Sequence, residues 1–266
     1  MKKKFSLLAL VIFMLSIFTV GCASKNKADN SLEEIKNKGE FIVGLDDNLP
    51  PMGFRGENGQ IVGFDIDLAN EAAKRMGVKA VFKPVDWDGV VLSLNNKDID
   101  VIWNGLTITE KRQKQIDFSK PYLENRQVLV VKSDSTIKNE KDLKDKVLGI
   151  QLGSSSEIAL NSKPDVVKSL KEVRKFSNNT EALMDLKASR VDAVLVDEVV
   201  GRYYISKQPN VYKVLSEDLG KELYGVGIRK NDKTFKEELD KVLDEMKKDG
   251  TAAKISEKWF GENIVK

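Results

Sequence analysis

Histidine is absent from this 266-residue chain, and cysteine occurs once, at Cys22. Without an imidazole the chain cannot assemble a Ser-His-Asp triad. With neither His nor a second Cys it cannot build a zinc site of the usual kind or close an internal disulfide. No metal and no cofactor is expected. A surplus of charge is missing too: 44 basic residues face 41 acidic ones, and Lys2, Lys3 and Lys4 account for the whole excess. A body without those three lysines is formally neutral and has no basic footprint for phosphates, so nucleic acid is not an expected partner. Beyond residue 20 no stretch approaches 18 consecutive apolar residues, the length at which a membrane-spanning helix is read. What is present is 41% hydrophobic and 32% charged residues, the balance of a soluble globular protein. The length suffices for one large domain or two of roughly 100 to 150 residues.

The first segment reads as an address. Lys2, Lys3 and Lys4 form a positive start, and residues 5–20 are 16 largely apolar positions, too short to span a bilayer as a helix. Residues 1–21 are therefore expected to be a signal peptide. The run ends in Thr19-Val20-Gly21-Cys22, which resembles the lipobox of bacterial lipoproteins and implies a lipidated Cys22. Thr19 stands where that family most often has Leu, and ordinary signal-peptide cleavage nearby is the alternative. Residues 22–37 are expected to be the lipidated N-terminus and a flexible tether, which would hold the body to the extracytoplasmic face of the cell membrane.

The body alternates strand and helix patterns. Phe41-Ile42-Val43-Gly44-Leu45 is a β-prone run, and Ile66, Leu68, Ala69, Ala72, Ala73 and Met76 recur at helical spacing up to Gly77. A run at residues 79–84, a helical stretch at residues 89–95 and the strand Val101-Ile102-Trp103 continue a βαβα order, which marks the α/β class. After Val128-Leu129-Val130-Val131 the same grammar restarts with strands at residues 147–151 and 191–196, so a second lobe is expected. Leu94, Ile99, Asp100 and Val101 stand 92 residues before Leu186, Val191, Asp192 and Ala193. A duplication or a common helix-on-strand pattern explains that offset; either puts Gly105 and Asp197 at equivalent strand ends, where ligands of open sheets bind.

Two constellations suit a small zwitterion. In Asn104-Gly105-Leu106-Thr107-Ile108-Thr109-Glu110-Lys111-Arg112 a strand ends, exposes backbone and a hydroxyl, and enters a helix capped by Thr109. Arg112 then points back to the strand end, where a guanidinium holds a carboxylate in bidentate fashion, unless it is an exposed helix Arg. In Gly153-Ser154-Ser155-Ser156-Glu157 a strand runs into a helix start with a Ser154-to-Glu157 capping box. Free amides there suit an anion, although capping alone explains the serines equally well. No Gly-Lys-Ser/Thr ending follows, which disfavours a nucleotide. Asp197, at the end of Ala193-Val194-Leu195-Val196, is either an ammonium partner or a turn residue.

Five motifs in order, Gly63-Phe64-Asp65-Ile66-Asp67-Leu68, Asp86-Trp87-Asp88-Gly89, Thr107-Ile108-Thr109-Glu110-Lys111-Arg112, Asp117-Phe118-Ser119-Lys120-Pro121-Tyr122 and Lys258-Trp259-Phe260-Gly261, resemble the family-three extracellular solute-binding proteins of amino-acid ABC importers. The resemblance covers about residues 38–262. It implies a bilobed, periplasmic-binding-protein-like Venus flytrap, two α/β lobes joined by two crossover strands, working as a monomer with ABC permease subunits. Lobe one would be residues 38–121 plus 226–266, lobe two residues 127–220, and the hinge residues 122–126 and 221–225. By the same likeness the ligand α-carboxylate meets Arg112 and the amides of Thr107 and Ser155. The α-ammonium meets Asp197, the Thr107 hydroxyl and the Gly105 carbonyl.

Position within the motifs puts Asp46, Leu49, Trp87 and Gln151 around the ligand side chain, with Trp87 as an aromatic wall and Asp46 as a cation partner. Leu49 stands where the family usually has an aromatic residue. Acidic Asp46 disfavours a dicarboxylic ligand, so polar or cationic L-amino acids, or cystine, are expected. The chain is read as a binder and not an enzyme; a flytrap-fold enzyme such as a dehydratase is the alternative, since carboxylates can do acid–base work without His. A ligand-sensing receptor would need a transmembrane segment after the body.

Overall fold

The computed structural model describes residues 29–266; the expected signal segment 1–21 and the expected lipidation site Cys22 lie outside the described residues. The first half contains α1 (Ser31–Lys38), β1 (Glu40–Leu45), β2 (Asn48–Leu49), β3 (Gly53–Arg55), β4 (Ile61–Val62), α2 (Phe64–Met76), β5 (Lys79–Pro84), α3 (Val90–Asn95), β6 (Val101–Ile102), α4 (Glu110–Gln113) and β7 (Asp117–Phe118). It continues through β8 (Leu123–Lys132), β9 (Val147–Gln151), α5 (Ser155–Asn161), α6 (Pro164–Ser169), β10 (Glu172–Phe176), α7 (Asn179–Lys187), β11 (Ala193–Asp197), α8 (Glu198–Lys207) and β12 (Tyr212–Tyr224). The chain then closes with β13 (Gly227–Ile228), α9 (Lys233–Lys248) and α10 (Thr251–Phe260).

Two five-stranded sheets result, ordered β5-β1-β6-β13-β7 and β10-β9-β11-β8-β12. In each, three parallel strands are followed by antiparallel neighbours. The inner parallel strands are apolar because they are buried on both faces, whereas the edge strands β5 and β10 are charged and partly exposed: Phe41, Val43 and Leu45 of β1 are fully buried, as are Val194, Leu195 and Val196 of β11. Helix α2 lays Phe64, Leu68, Ala72 and Met76 on the first sheet and stops at Gly77, whose φ of 74° is the left-handed conformation that ends helices.

The 92-residue offset is a repeated helix–turn–strand unit. Lys97 and Ser189, the same distance apart, both adopt positive φ, at 66° and 58°. Asp100 gives its N–H to Ile42 O and accepts the Ile42 N–H, at 2.8 and 2.9 Å. Asp192 does the same with Val147, at 2.8 Å each way. Each aspartate thereby locks the central strand of its sheet to the next one, and Gly105 and Asp197 lie just beyond.

Three expectations need correction. Residues 29–37 are not tether: α1 buries Ile35, the Asp29 carboxylate accepts the Thr234 N–H at 2.6 Å, and Ser31 Oγ lies 3.0 Å from Thr234 Oγ1. The apolar packing of Ile35 and Leu32 and these polar contacts hold a segment whose composition reads as solvated. The strand expected through Trp103 ends at Ile102, because Gly105 already turns the chain out of the sheet. The helical stretch expected from Gly89 starts as a 3-10 turn, Trp87–Gly89, before α3 begins at Val90. Between the sheets the chain passes twice, from β7 to β8 and from β12 to β13, and the two passages are antiparallel neighbours, with Leu123 opposite Tyr224.

Candidate functional site

The strand ends of the two sheets face each other across a cleft. On the first side Gly105 has φ of 59°, and a Cβ there would come within 3.2 Å of the Tyr224 ring, so the tight exit from β6 needs glycine. Its N–H is accepted by Asp65 at 2.7 Å, and Tyr122 donates its hydroxyl to the same carboxylate oxygen at 2.9 Å. Burial pushes Asp65 up to about 7, against the pull of these bonds. Thr109 caps α4 by accepting the Arg112 N–H, which aims the Arg112 side chain back at the strand end as expected.

Arg112 is buried. Its Nη1 donates to Thr107 O at 2.8 Å and its Nη2 reaches across the cleft to Gly153 O at 3.2 Å. The guanidinium lies 5.9 Å from the Trp87 ring centroid, so Trp87 borders the cation as well as the cleft. Burial lowers Arg112 to about 10, while Glu222 and Asp197 pull it back up. Trp87, Asp88, Arg112, Gly153, Ser154 and Glu157 line a cavity of 330 Å³ beside this contact.

On the second side β9 ends at Gln151, and Gly153, with φ of 71°, brings its backbone against Asp88 so closely that a Cβ would stand 2.8 Å from Asp88 Cα. Ser154 caps α5, accepting the Glu157 N–H at 3.3 Å, but the Glu157 carboxylate takes the Gly153 N–H instead of closing the box on Ser154. The positive φ at Gly153 turns its N–H outward, within reach of Glu157. Ser155 Oγ lies 3.1 Å from Thr107 Oγ1 across the cleft. Asp197 is buried at the end of β11, where its Oδ1 accepts from Asn125 Nδ2 at 2.5 Å and Gln127 Nε2 at 2.9 Å. Burial first, then the charge of Glu222, push Asp197 up to about 7, against Tyr224, Gln127 and Arg112.

The four side-chain-pocket residues divide. Asp46 is buried, accepts the Asn48 N–H at 2.9 Å and takes Gln151 Nε2 at 2.8 Å, again across the cleft. Burial holds its carboxyl above the usual range. Gln151 also donates to Ser177 O at 3.1 Å and accepts from Asn179 at 3.0 Å, so both its N–H groups are engaged. Leu49 packs into the core, 5% exposed, with one methyl 3.5 Å from the position of a Cβ on Gly105. Arg112, Trp87, Gly105, Thr107, Ser155 and Asp197 thus surround one region, and Asp46 and Gln151 form a second polar contact beside it.

Sequence reasoning missed Glu222, Asn125 and Gln127. Glu222 Oε2 lies within hydrogen-bond reach of Thr107 Oγ1, Asn125 Nδ2, Gln127 Nε2 and Ser155 Oγ, at 3.0, 3.1, 2.9 and 3.4 Å. A signal for two of these existed: Asn125 and Gln127 sit at alternate positions of β8, on the same face, just before its apolar run at residues 128–131.

Residues 41–262 match the family of bacterial extracellular solute-binding proteins, family 3. The chain belongs to that family. It is 36% identical over 261 residues to the L-cystine-binding protein TcyJ of Escherichia coli K12, covering 97% of each chain. Among solved structures, an ABC uptake transporter substrate-binding protein from Streptococcus pneumoniae with bound histidine superimposes with a TM-score of 0.85 at 36% identity, over 90% of this chain and 98% of that one. The ancestral amino acid-binding protein AncCDT-1, a precursor of cyclohexadienyl dehydratase, matches with a TM-score of 0.80 at 38% identity, over 86% of this chain and 99% of that one. The two sheets are therefore the lobes of a family-3 solute-binding protein, the bilobed flytrap fold.

Proposed function

We propose that this family-3 protein is an extracytoplasmic lipoprotein, attached through Cys22, that captures a polar or cationic L-amino acid, or cystine, between its lobes and delivers it to an ABC permease. The observation that carries the reading is the polarity of the cleft. The buried Arg112 stands at one end and the buried Asp197 at the other, and the Thr107 and Ser155 hydroxyls lie between them, one from each lobe. That is the complement of a zwitterion: the guanidinium binds the α-carboxylate together with the Thr107 and Ser155 amides, and Asp197, the Thr107 hydroxyl and the Gly105 carbonyl take the α-ammonium. Trp87 walls the ligand side chain, Asp46 disfavours a second carboxylate, and Leu49 supplies apolar contact. The passages at residues 122–126 and 221–225 act as the hinge, and closure and binding are one equilibrium. The protein works as a monomer, without cofactor or metal. A relative named for binding L-cystine and a similar structure with bound histidine support the ligand class.

A thermal-shift screen of the common L-amino acids and cystine tests this. At about 100 times its dissociation constant a ligand stabilises the fold by roughly 2.7 kcal/mol, a rise in Tm of about 5 to 11 °C for a chain of this size. A screen in which no amino acid moves Tm would remove the reading. The similarity to a dehydratase precursor favours one alternative, an extracytoplasmic dehydratase. Recovering the ligand unchanged after incubation excludes it.

A further inference from the structure

The acid at the ammonium end of the cleft is not alone. Gln127 Nε2 lies 2.9 Å from Asp197 Oδ1 and 2.9 Å from Glu222 Oε2. Asn125 Nδ2 lies 2.5 and 3.1 Å from the same two atoms. Two carboxylates, one buried and one half-buried, therefore share the same pair of amide nitrogens. Among the described residues no Lys or Arg forms an ion pair with either; the guanidinium of Arg112 donates to the Thr107 and Gly153 carbonyls and reaches the pair only through its charge. Like charges brought together and hydrogen-bonded only by neutral donors repel each other, and a cation placed between them relieves that repulsion. Glu222 comes from β12, directly opposite Asn125 in the strand register. Neither residue is freely placed: the antiparallel pairing of the two interlobe passages puts them there.

The hydroxyls add direction. Thr107 has a single proton, and the carboxylate at 3.0 Å is a stronger acceptor for it than the Ser155 hydroxyl at 3.1 Å. Donation to Glu222 leaves the Thr107 lone pairs free to accept from an N–H. The same carboxylate that adds negative charge thus turns the hydroxyl into an acceptor.

We propose that Glu222 is a second ammonium partner and a specificity-determining residue of the cleft: with Asp197 it forms a two-carboxylate pole that selects ligands with a free α-ammonium. The proposal rests on the amino-acid reading above and deepens it. Counting Asp46, three carboxylates then face one guanidinium, so the pole also favours ligands of neutral or positive net charge over acidic ones.

Calorimetric titration of the full chain, wild type and Glu222→Gln, with L-arginine, L-glutamine and L-cystine tests it. The partner titrations use guanidinovaleric acid, glutaramic acid and dithiodipropionic acid, the same three skeletons without the α-ammonium. Glu222→Gln keeps an oxygen for the Thr107 and amide donors and removes the charge. For whichever amino acid binds, the variant is expected to bind at least about tenfold more weakly, while affinity for the matching deaminated acid changes by less than about threefold. Equal losses for both ligands, or no loss for the amino acid, overturn the proposal. Where the deaminated acid binds too weakly to titrate, small-angle scattering of the saturated variant decides. A tenfold loss with the wild-type closed radius supports an ammonium contact, whereas a wider radius makes Glu222 a closure latch and overturns it. A wild type that binds none of the three amino acids sinks the amino-acid reading, and this proposal with it. A wild type that binds while Glu222→Gln is indifferent sinks this proposal alone.

Discussion

Asp197→Asn should make the protein bind worse and, at the same time, fold more stably. The carboxylate is buried, and burial and Glu222 together raise it from an ordinary 3.8 to about 7. An acid with a raised pKa holds its proton more tightly in the folded than in the unfolded state. Its contribution to stability is complete below pH 4 and is lost as pH rises towards 7, where the charge must be carried inside the fold. About three pH units at roughly 1.4 kcal/mol each set an upper bound near 4 kcal/mol on that cost, and sharing of charge with Glu222 brings the expected gain for Asp197→Asn to about 1 to 3 kcal/mol above pH 7. The Asn125 and Gln127 hydrogen bonds survive the change, because both donate to the one oxygen, Oδ1, that an amide can retain. Asp65 is raised to about 7 by its own burial and follows the same trend, so the quantity to read is the difference between variant and wild type. For binding, removing one member of a charge pair in a closed cleft costs on the order of 2 to 5 kcal/mol, roughly 30- to 5000-fold in affinity. Urea unfolding at pH 5 and pH 8, paired with calorimetric titration of the ligand found by thermal shift, measures both. The reasoning fails if affinity drops less than about threefold, or if the variant is less stable than wild type at pH 8.

Ligand should also close the lobes, since Arg112 reaches Gly153, Thr107 meets Ser155 and Asp46 meets Gln151 across the cleft. Small-angle scattering is expected to give a smaller radius of gyration with a saturating amino acid than without, and identical radii would remove the hinge. At the other end of the chain, Cys22→Ala is expected to abolish lipidation and to release the protein or leave it unprocessed. Metabolic labelling with a fatty acid that marks the variant as strongly as wild type would defeat the anchor.

What the order of residues determined alone is the set of local devices. Glycine at 77 ends a helix, Thr109 and Ser154 cap two more, the apolar runs at β1, β8, β9 and β11 become buried strands, and the 92-residue spacing repeats a helix–turn–strand unit. These depend on neighbours within a few residues, or on patterns that one element carries by itself, so composition and periodicity disclose them. Arg112 could be aimed at the strand end on that basis because its cap fixes its direction. Partners distant in the chain are another matter. Asn125 meets Glu222 only because β8 and β12 pair in one register, Gln151 is met by Asp46 from the other lobe, and α1 is held on the body by Thr234, about 200 positions away. Pairing register and lobe contact are set by the summed packing of whole elements, so no local pattern marks Glu222 as part of the cleft. Only the folded chain brings its carboxylate beside Asp197.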